Sequence, residues 1–264
     1  YAKKAEYYKR YLDPETKMMR PVMGDGSFRT PFNPRYSSHM KSDYTEGNAF
    51  QWSFFAPHDM DNFIAAIGGK KELETRLDTL FTTSSQIDGA EASGDITGLI
   101  GQYAHGNEPS HHMAYLYNWT DSPWKGQEYL DYIMQNFYTN EPDGIIGNED
   151  CGQMSAWYLF SVMGFYPVCP GTDEYVLGAP YLPYLKLKLP NGNTLEIKAP
   201  GVSDKKRYVQ SLKLNGKVYD KMYITHEDIL KGGVLEFKMS ASPNKRRGLA
   251  KGDKPYSLTD GINK

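Results

Sequence analysis

The sequence predicts a mixed fold in which a mostly helical region is followed by a small β-module. Three observations predict it: apolar residues recur at helical spacing up to about residue 166, they alternate with polar residues afterwards, and a Pro/Gly-rich segment separates the two patterns. The length of 264 residues allows one large domain or two smaller ones. With 39% hydrophobic residues, the chain can build a packed core.

Four or five helices separated by Gly/Pro loops are predicted in the first region. Leu73, Leu77 and Leu80 are spaced four and three residues apart, which places them on one face of a helix. Similar patterns predict helices over residues 2–11, near Asn48, and over residues 110–119, 123–137 and 152–163. The last of these is followed by Gly164, in the position expected of a C-cap.

The β-module begins after the Pro/Gly-rich segment 167–171. Two alternating runs, 184–189 and 194–198, flank an Asn-Gly turn, which is typical of a β-hairpin. Further strands are predicted over residues 209–214, 217–224 and 234–239. The predicted organisation is a helical domain over 1–168, a β-module over 169–244, and a polar, ragged tail over 245–264.

The balance of charges excludes a polybasic nucleic-acid binder. Thirty Lys and Arg residues stand against 32 Asp and Glu, so no excess of positive charge exists to neutralise phosphates. No apolar run approaches the roughly 18 residues that a membrane-spanning helix needs. We therefore expect neither a nucleic-acid partner nor a membrane span.

Three polar clusters at loop-to-helix junctions are the candidates for chemistry. Each combines carboxylates with Asn, Gln or His, and they occupy residues 44–59, 105–112 and 143–153. Each also has a structural explanation: Asn107 and Asp150 could cap helices, Glu108 could complement a helix N-terminus, and the histidines could be satisfied helix-end residues. Three such clusters favour a shared site, because helical barrels gather the ends of successive helices at one mouth.

Two carboxylates flanking a polar pocket suit the hydrolysis of a glycosidic bond. A protonated carboxyl group donates to the leaving oxygen, while an ionised one activates water or attacks the anomeric carbon. Amide side chains beside acids also suit an oxygen-ligated cation such as calcium, although no EF-hand spacing is present. A zinc site at His111 and His112 is disfavoured, because adjacent residues on a helix point apart. The 21 tyrosines fit a sugar-binding surface, but a tyrosine-rich core explains them more simply.

At these clusters the sequence resembles family 92 of the glycoside hydrolases, the calcium-dependent exo-α-mannosidases. The matching strings are YTEGNAFQW (44–52), GNEPSHH (106–112), GNEDCGQMSAWY (147–158) and GFYPV (164–168). The resemblance extends from about Tyr8 to Asn244. It implies the later helices of an (α/α)6 barrel followed by a small antiparallel β-sandwich. The family's N-terminal sandwich and early barrel helices have no counterpart here, and the chain opens without Met inside a helical pattern, so we expect residues to precede Tyr1.

The resemblance also implies roles for individual residues. The family releases terminal α-mannose with inversion, helped by a calcium ion that binds the sugar's O2 and O3 and helps to distort the ring. By resemblance, Glu46 is the general acid and Asp150 the general base, with Glu149 as the alternative base. The implied sugar-binding residues are Trp52, His58, Asp59, Asn107, Glu108 and His112. The implied calcium ligands are Gln51, Asn107 and Glu108.

Several points stay open at the level of sequence. Members acting on α-1,2 linkages often have His where this chain has Asn107, which favours another linkage such as α-1,3. A non-catalytic carbohydrate-binding protein, or a helical-barrel glycosidase for another sugar, would use the same residue types. The expected partners are mannose-containing glycans. The resemblance implies a secreted, periplasmic or cell-surface location, and nothing in the sequence indicates an oligomeric state.

Overall fold

The computed structural model describes residues 1–259, which contain both helices and sheets, as predicted. It divides into two compact units, which we describe separately. The first comprises Tyr1–Met113, Ile145–Glu149 and, among the described residues, 257–259; the second comprises Ala114–Gly144 and Asp150–Tyr256. Within residues 1–259, no helix combines the length and the apolar character needed to cross a membrane.

Within residues 1–113 and 145–149, the first unit contains four α-helices and a short antiparallel hairpin. They are α1 (Ala2–Ala5), α2 (Ala49–Trp52), α3 (Met60–Ile67), α4 (Lys70–Thr82), β1 (Leu99–Ile100) and β2 (Tyr103–Ala104). The predicted apolar face of α4 is confirmed, because Leu73, Leu77 and Leu80 are fully buried. Gly68 ends α3 with φ +113°, a left-handed conformation that favours glycine.

The helix predicted over residues 110–119 is wrong in type. Two 3₁₀ helices, Glu108–Ser110 and Met113–Trp119, take its place. Every residue of the second is buried, so it has no exposed face to balance an apolar one. Its conformation is therefore set by packing against residues all around it. The spacing of apolar residues predicts a helix type only where one face is apolar and the other polar.

The second unit combines three helices with two sheets. Its elements are α5 (Trp124–Asn136), α6 (Gln153–Met163), β3 (Phe165–Tyr166), β4 (Glu174–Leu177), β5 (Tyr184–Lys188), β6 (Thr194–Lys198), β7 (Tyr208–Leu214), β8 (Lys217–Val218), β9 (Tyr223–Thr225), α7 (His226–Lys231) and β10 (Gly233–Ser240). The helices predicted over 123–137 and 152–163 are confirmed to within one residue at each end. Gly164 caps α6 with φ +91°. Helices α5 and α6 lie in the same compact unit as these strands. The predicted domain boundary at residue 168 stays a prediction.

The strands form a five-stranded sheet, β5–β6–β10–β7–β8, and a three-stranded sheet, β3–β4–β9. The hairpin β5–β6 is confirmed with its Asn-Gly turn. One pair, β6–β10, is parallel, so the predicted purely antiparallel module is corrected. A parallel pair needs a long crossover, and here the chain between these strands supplies β7, β8, β9 and α7. A single apolar core contains residues of both sheets, among them Phe165, Leu177, Leu195, Ile224 and Phe237.

Two further differences concern the ends of the β-module. The strand predicted over 217–224 is two strands, β8 and β9, which belong to different sheets. The predicted ragged tail is wrong for residues 245–259. Arg247 and Ser257 are buried, and the Ser257 hydroxyl accepts from the Asp61 backbone N–H at 3.0 Å. The rest of the predicted tail, 260–264, lies outside the described residues.

Candidate functional site

Parts of the three polar clusters meet in the first unit. Asn107 donates from Nδ2 to the backbone oxygen of Glu46 at 2.9 Å, which joins the second cluster to the first. A β-carbon placed at Gly147 would lie 3.1 Å from the Cα of Gly106 and 2.8 Å from Thr97 Oγ1, so the third cluster packs against the second. A β-carbon at Gly106 would lie 1.9 Å from the same Thr97 atom. Glycine is therefore required where these strings approach.

Glu46, the implied proton donor, is exposed and lies on left-handed backbone with φ +52°. Asp150, the implied base, shares both features, with φ +51°, and Cys151 follows it at φ +57°. Residues other than Gly rarely adopt this conformation, and strained backbone clusters at functional sites. Both implied catalytic carboxylates are thus presented to solvent from unusual backbone.

Helix α2 begins three residues after Glu46, and Asn48, its N-cap, forms a reciprocal cap with Gln51. Asn48 Oδ1 accepts from the first free N–H groups of the helix, and Gln51 Oε1 accepts from the Asn48 N–H at 2.7 Å. Gln51 Nε2 donates to the backbone oxygen of Gln102 at 2.7 Å, and Asn48 Nδ2 donates to its side chain at 2.8 Å. Because Asn48, Gln51 and Gln102 are all buried, this network fixes the end of the loop that carries Glu46.

A cavity of about 330 Å³ opens beside this loop. Its aromatic lining consists of Tyr8, Tyr11, Tyr44, Trp52 and Phe55, and its charged groups are Arg20 and Asp43. Arg20 is fixed by an ion pair with the buried Asp13, at 2.9 Å between Nη1 and Oδ2. Burial alone would raise the Asp13 pKa, but hydrogen bonds from Thr16 and Arg20 outweigh it and lower that pKa to about 2. Aromatic faces beside fixed polar groups suit an amphipathic ligand such as a sugar.

Trp52, an implied sugar-binding residue, lines this cavity and also contacts the loop. Its Nε1 donates to the Thr45 backbone oxygen at 2.8 Å. Its ring meets that of Phe55 edge to face, with centroids 5.4 Å apart, and Phe55 meets His112 in the same way at 5.6 Å. The indole is thereby held from two sides while part of its surface stays exposed.

His58 and Asp59 make internal contacts instead. His58 Nε2 donates to a backbone oxygen of α1 at 2.8 Å. Asp59 is fully buried and accepts from the Tyr8 hydroxyl, the Thr259 hydroxyl and the Asn62 amide, each at 3.1 Å. Burial, and then the charge of Asp59, raise the pKa of Tyr8, so its hydroxyl stays a neutral donor. The substrate roles of both residues stay predictions.

The three histidines of the second cluster are buried and hydrogen-bonded. His112 Nε2 donates to the Phe54 backbone oxygen and His111 Nε2 to that of His105, each at 2.9 Å. These contacts match the structural explanation that the sequence left open. Burial lowers the pKa of His111 and of His112 to about 4, and that of His105 well below its ordinary value, so all three are neutral at pH 7.

We expect the free energy of unfolding to fall as the pH is lowered from about 6.5 to about 4. Unfolded histidine has a pKa of about 6.5, whereas folded His111 and His112 have values of about 4. Between these values the unfolded state binds protons that the folded state excludes. Stability is therefore fully present above the unfolded pKa and is lost on acidification, by roughly 3 kcal/mol per histidine.

Urea unfolding midpoints at pH 7.5 and 4.5 measure this loss. The double variant His111→Gln/His112→Gln should reduce it, while replacing the exposed His39 by Gln should leave it unchanged. If acid lowers the stability of the double variant as much as that of the unmodified chain, the loss of stability does not come from His111 and His112.

The implied calcium ligands offer oxygen atoms, which calcium prefers. Glu108 is an exposed carboxylate. The amide oxygens of Gln51 and Asn107 each accept one backbone N–H, at 2.7 and 3.1 Å, and a second lone pair remains on each. In the described part of the chain, no three His, Cys, Asp or Glu side chains gather closely enough to hold a metal ion. The donor chemistry fits calcium, which would need further oxygen ligands such as sugar or water.

Comparison with known proteins identifies the family. Residues 1–241 match the glycosyl hydrolase family 92 catalytic domain. The GH92 α-mannosidase BT3965 from Bacteroides thetaiotaomicron, solved with mannoimidazole, is 43% identical with a TM-score of 0.89, over 95% of this chain and 33% of that one. The GH92 inverting mannosidase BT2199 from the same organism is 33% identical with a TM-score of 0.83, over 97% and 35%.

A protein from Arthroderma benhamiae, described as an uncharacterized secreted glycosidase, is 28% identical over 229 residues, which cover 86% of this chain and 27% of that protein. This chain thus spans about a third or less of the length of these relatives. The family match covers most of the chain, and the resemblance predicted from the three clusters is confirmed. The chain belongs to glycosyl hydrolase family 92.

Proposed function

We propose that the protein carrying this chain is an exo-α-mannosidase that releases terminal α-linked mannose from glycans by inverting, two-carboxylate hydrolysis. Family membership supports this proposal, as do two similar structures described as mannosidases, one of them bound to mannoimidazole. The observation that carries it is the exposed Glu46, on left-handed backbone beside an aromatic cavity. By the same family argument, the helices before residue 168 are the later part of an (α/α)6 barrel, and the strands after it are a β-sandwich.

In the proposed reaction, Glu46 donates a proton to the glycosidic oxygen as the bond to the leaving group breaks. Asp150, or Glu149 in its place, accepts a proton from the water that attacks the anomeric carbon from the opposite side. Inverting enzymes hold their two carboxyl groups about 6.5–9.5 Å apart to leave room for that water. The exposure of Glu46, Glu149 and Asp150 supports such roles, because each carboxyl group is accessible to a substrate.

The sugar is proposed to contact Trp52, Asn107 and Glu108, with His58, Asp59 and His112 as further candidates. The cavity beside Trp52, with its aromatic lining and fixed Arg20, supports a saccharide ligand. Asn107, where α-1,2-specific members often have His, favours another linkage such as α-1,3. A secreted, periplasmic or cell-surface location is proposed because a relative is described as secreted.

A panel of α-mannosides and α-glucosides tests this function. Free mannose is the expected product. Binding of mannosides without release of sugar would favour a non-catalytic carbohydrate-binding protein, and preferential release of glucose would favour a glycosidase for another sugar. Either result would overturn the proposal.

Removal of calcium is expected to eliminate most of the activity, measured as the rate at which mannose is released. Gln51, Asn107 and Glu108 are the proposed ligands from this chain, and the oxygen chemistry of their side chains supports that role. When bound, the ion would hold two neighbouring sugar hydroxyls. Activity is measured after treatment with EDTA, and added calcium should restore it while added magnesium should not. An unchanged rate in EDTA would contradict calcium dependence.

A further inference from the structure

The backbone on both sides of Glu46 is held by side chains from elsewhere in the first unit. Trp52 Nε1 donates to the oxygen of Thr45 at 2.8 Å, and Asn107 Nδ2 donates to the oxygen of Glu46 at 2.9 Å. These two carbonyls belong to the peptide planes before and after the Glu46 Cα. Because peptide groups are planar, the orientations of these two planes define φ and ψ of Glu46.

The backbone conformation of Glu46 is unfavourable by itself. Its φ of +52° is unfavourable for a residue with a β-carbon, and its side chain is exposed. Such a conformation persists when its surroundings fix it. The donor Asn107 is buried, with 5% of its surface exposed, and its Oδ1 accepts from the Glu108 N–H at 3.1 Å. The amide that reaches Glu46 is therefore itself fixed.

Trp52 is fixed in a comparable way. A β-carbon placed at Gly47 would lie 3.0 Å from Trp52 Nε1, so the indole lies directly against the loop. Phe55 contacts the indole edge to face, and His112, which contacts Phe55, is bonded to the Phe54 backbone oxygen. The buried His112 thus packs against Phe55, Phe55 packs against Trp52, and Trp52 donates to the carbonyl oxygen that precedes Glu46.

We propose that Asn107 and Trp52 are positioning residues, which hold Glu46 in the conformation that directs its carboxyl group at the leaving oxygen. This inference rests on the proposed role of Glu46 as general acid. It concerns the N–H groups of both side chains, whereas calcium or sugar binding by Asn107 would use its oxygen. The variant Asn107→Asp separates the two roles. Its carboxylate keeps oxygen atoms that calcium or a sugar can bind, but it has no N–H group to donate to the Glu46 backbone oxygen.

Two substrates distinguish a positioning role from a general loss of structure. In an α-linked mannobiose the leaving group is the hydroxyl oxygen of the second mannose, which must be protonated as the bond breaks. In 2,4-dinitrophenyl α-mannoside the leaving group departs as the stable 2,4-dinitrophenolate and needs no proton. For Asn107→Asp and for Trp52→Phe, we expect kcat/KM to fall at least about tenfold more for the disaccharide than for the aryl mannoside. Equal losses on the two substrates in both variants would overturn the proposal.

Asn244→Asp is the matched control. Asn244 donates from Nδ2 to the Gln210 backbone oxygen at 2.8 Å, and its Oδ1 accepts from the Arg246 N–H at 3.0 Å. Asn107 likewise donates to one backbone oxygen and accepts from one backbone N–H. This control should leave the ratio of the two kcat/KM values unchanged. A shift in that ratio in Asn244→Asp equal to that in Asn107→Asp would overturn the proposal.

Glu46→Gln in the same assay separates this inference from the proposed function. If Glu46→Gln spares the disaccharide, Glu46 is not the general acid, and both the proposed role and the inference fall. If Glu46→Gln is selective for the disaccharide and Asn107→Asp and Trp52→Phe are not, the inference alone is wrong. The complete protein is used throughout, and urea unfolding midpoints verify that each variant is folded.

Discussion

Replacing Glu46 by Gln is expected to lower kcat for release of mannose from an α-linked mannobiose by about 10²–10⁴-fold. Glutamine keeps the size and hydrogen-bonding shape of the side chain but cannot donate a proton to the leaving oxygen. The left-handed backbone and its contacts to Trp52 and Asn107 should be retained, because both contacts end on main-chain oxygens. Steady-state kinetics on the complete protein measure the effect.

Glu236→Gln is the matched control for this substitution. Glu236 is an exposed carboxylate on β10, and replacing it should leave kcat unchanged. A Glu46→Gln variant that retains near-normal activity on the disaccharide would remove Glu46 from the role of general acid.

The Asp150→Asn variant is expected to lose a similar factor in kcat, about 10²–10⁴-fold. Its amide cannot accept the proton of the attacking water. Asparagine adopts left-handed backbone readily, so the φ of +51° at this position is tolerated in the variant. The loss should be similar for the disaccharide and for the aryl mannoside, because water must be activated whichever group leaves.

Glu149→Gln tests the alternative base with the same two substrates. If Asp150 is the base, Glu149→Gln keeps most of its activity. A large loss in Glu149→Gln together with a small loss in Asp150→Asn would assign the base to Glu149 instead.

The elements that could be predicted from the sequence are those that short-range patterns specify. The spacing of Leu73, Leu77 and Leu80 predicted α4, and alternation around an Asn-Gly turn predicted the β5–β6 hairpin. Helix α7 was missed although it begins with a capping box in which Thr225 and Asp228 satisfy each other's backbone, a Thr-x-x-Asp pattern visible in the sequence.

The parts that could not be predicted depend on contacts distant in sequence. The parallel pairing of β6 with β10 joins segments separated by three strands and a helix, and no local pattern records it. The buried 3₁₀ helix Met113–Trp119 likewise takes its form from the core around it. Propensity and periodicity describe neighbours along the chain, so such features are decided by tertiary packing.

The candidate site shows the same division. Its strings were recognisable in the sequence, but the bond from Asn107 to the Glu46 backbone spans 61 residues and could not be inferred from spacing. Three residues of the site are not among the sugar-binding residues and calcium ligands predicted from the sequence. Arg20 and Tyr44 line the cavity, and Gln102 supports the cap of α2. The ion pair that fixes Arg20 joins it to Asp13, seven residues earlier, and only the structure shows it.

A crystal structure of the complete protein with calcium and mannoimidazole tests most directly whether Glu46 and Asp150 act on one sugar. The account predicts the two carboxyl groups on opposite sides of the inhibitor, about 6.5–9.5 Å apart, with Glu46 facing the position of the glycosidic oxygen. Carboxyl groups more than about 15 Å apart, or a Glu46 side chain directed away from the inhibitor, would contradict it.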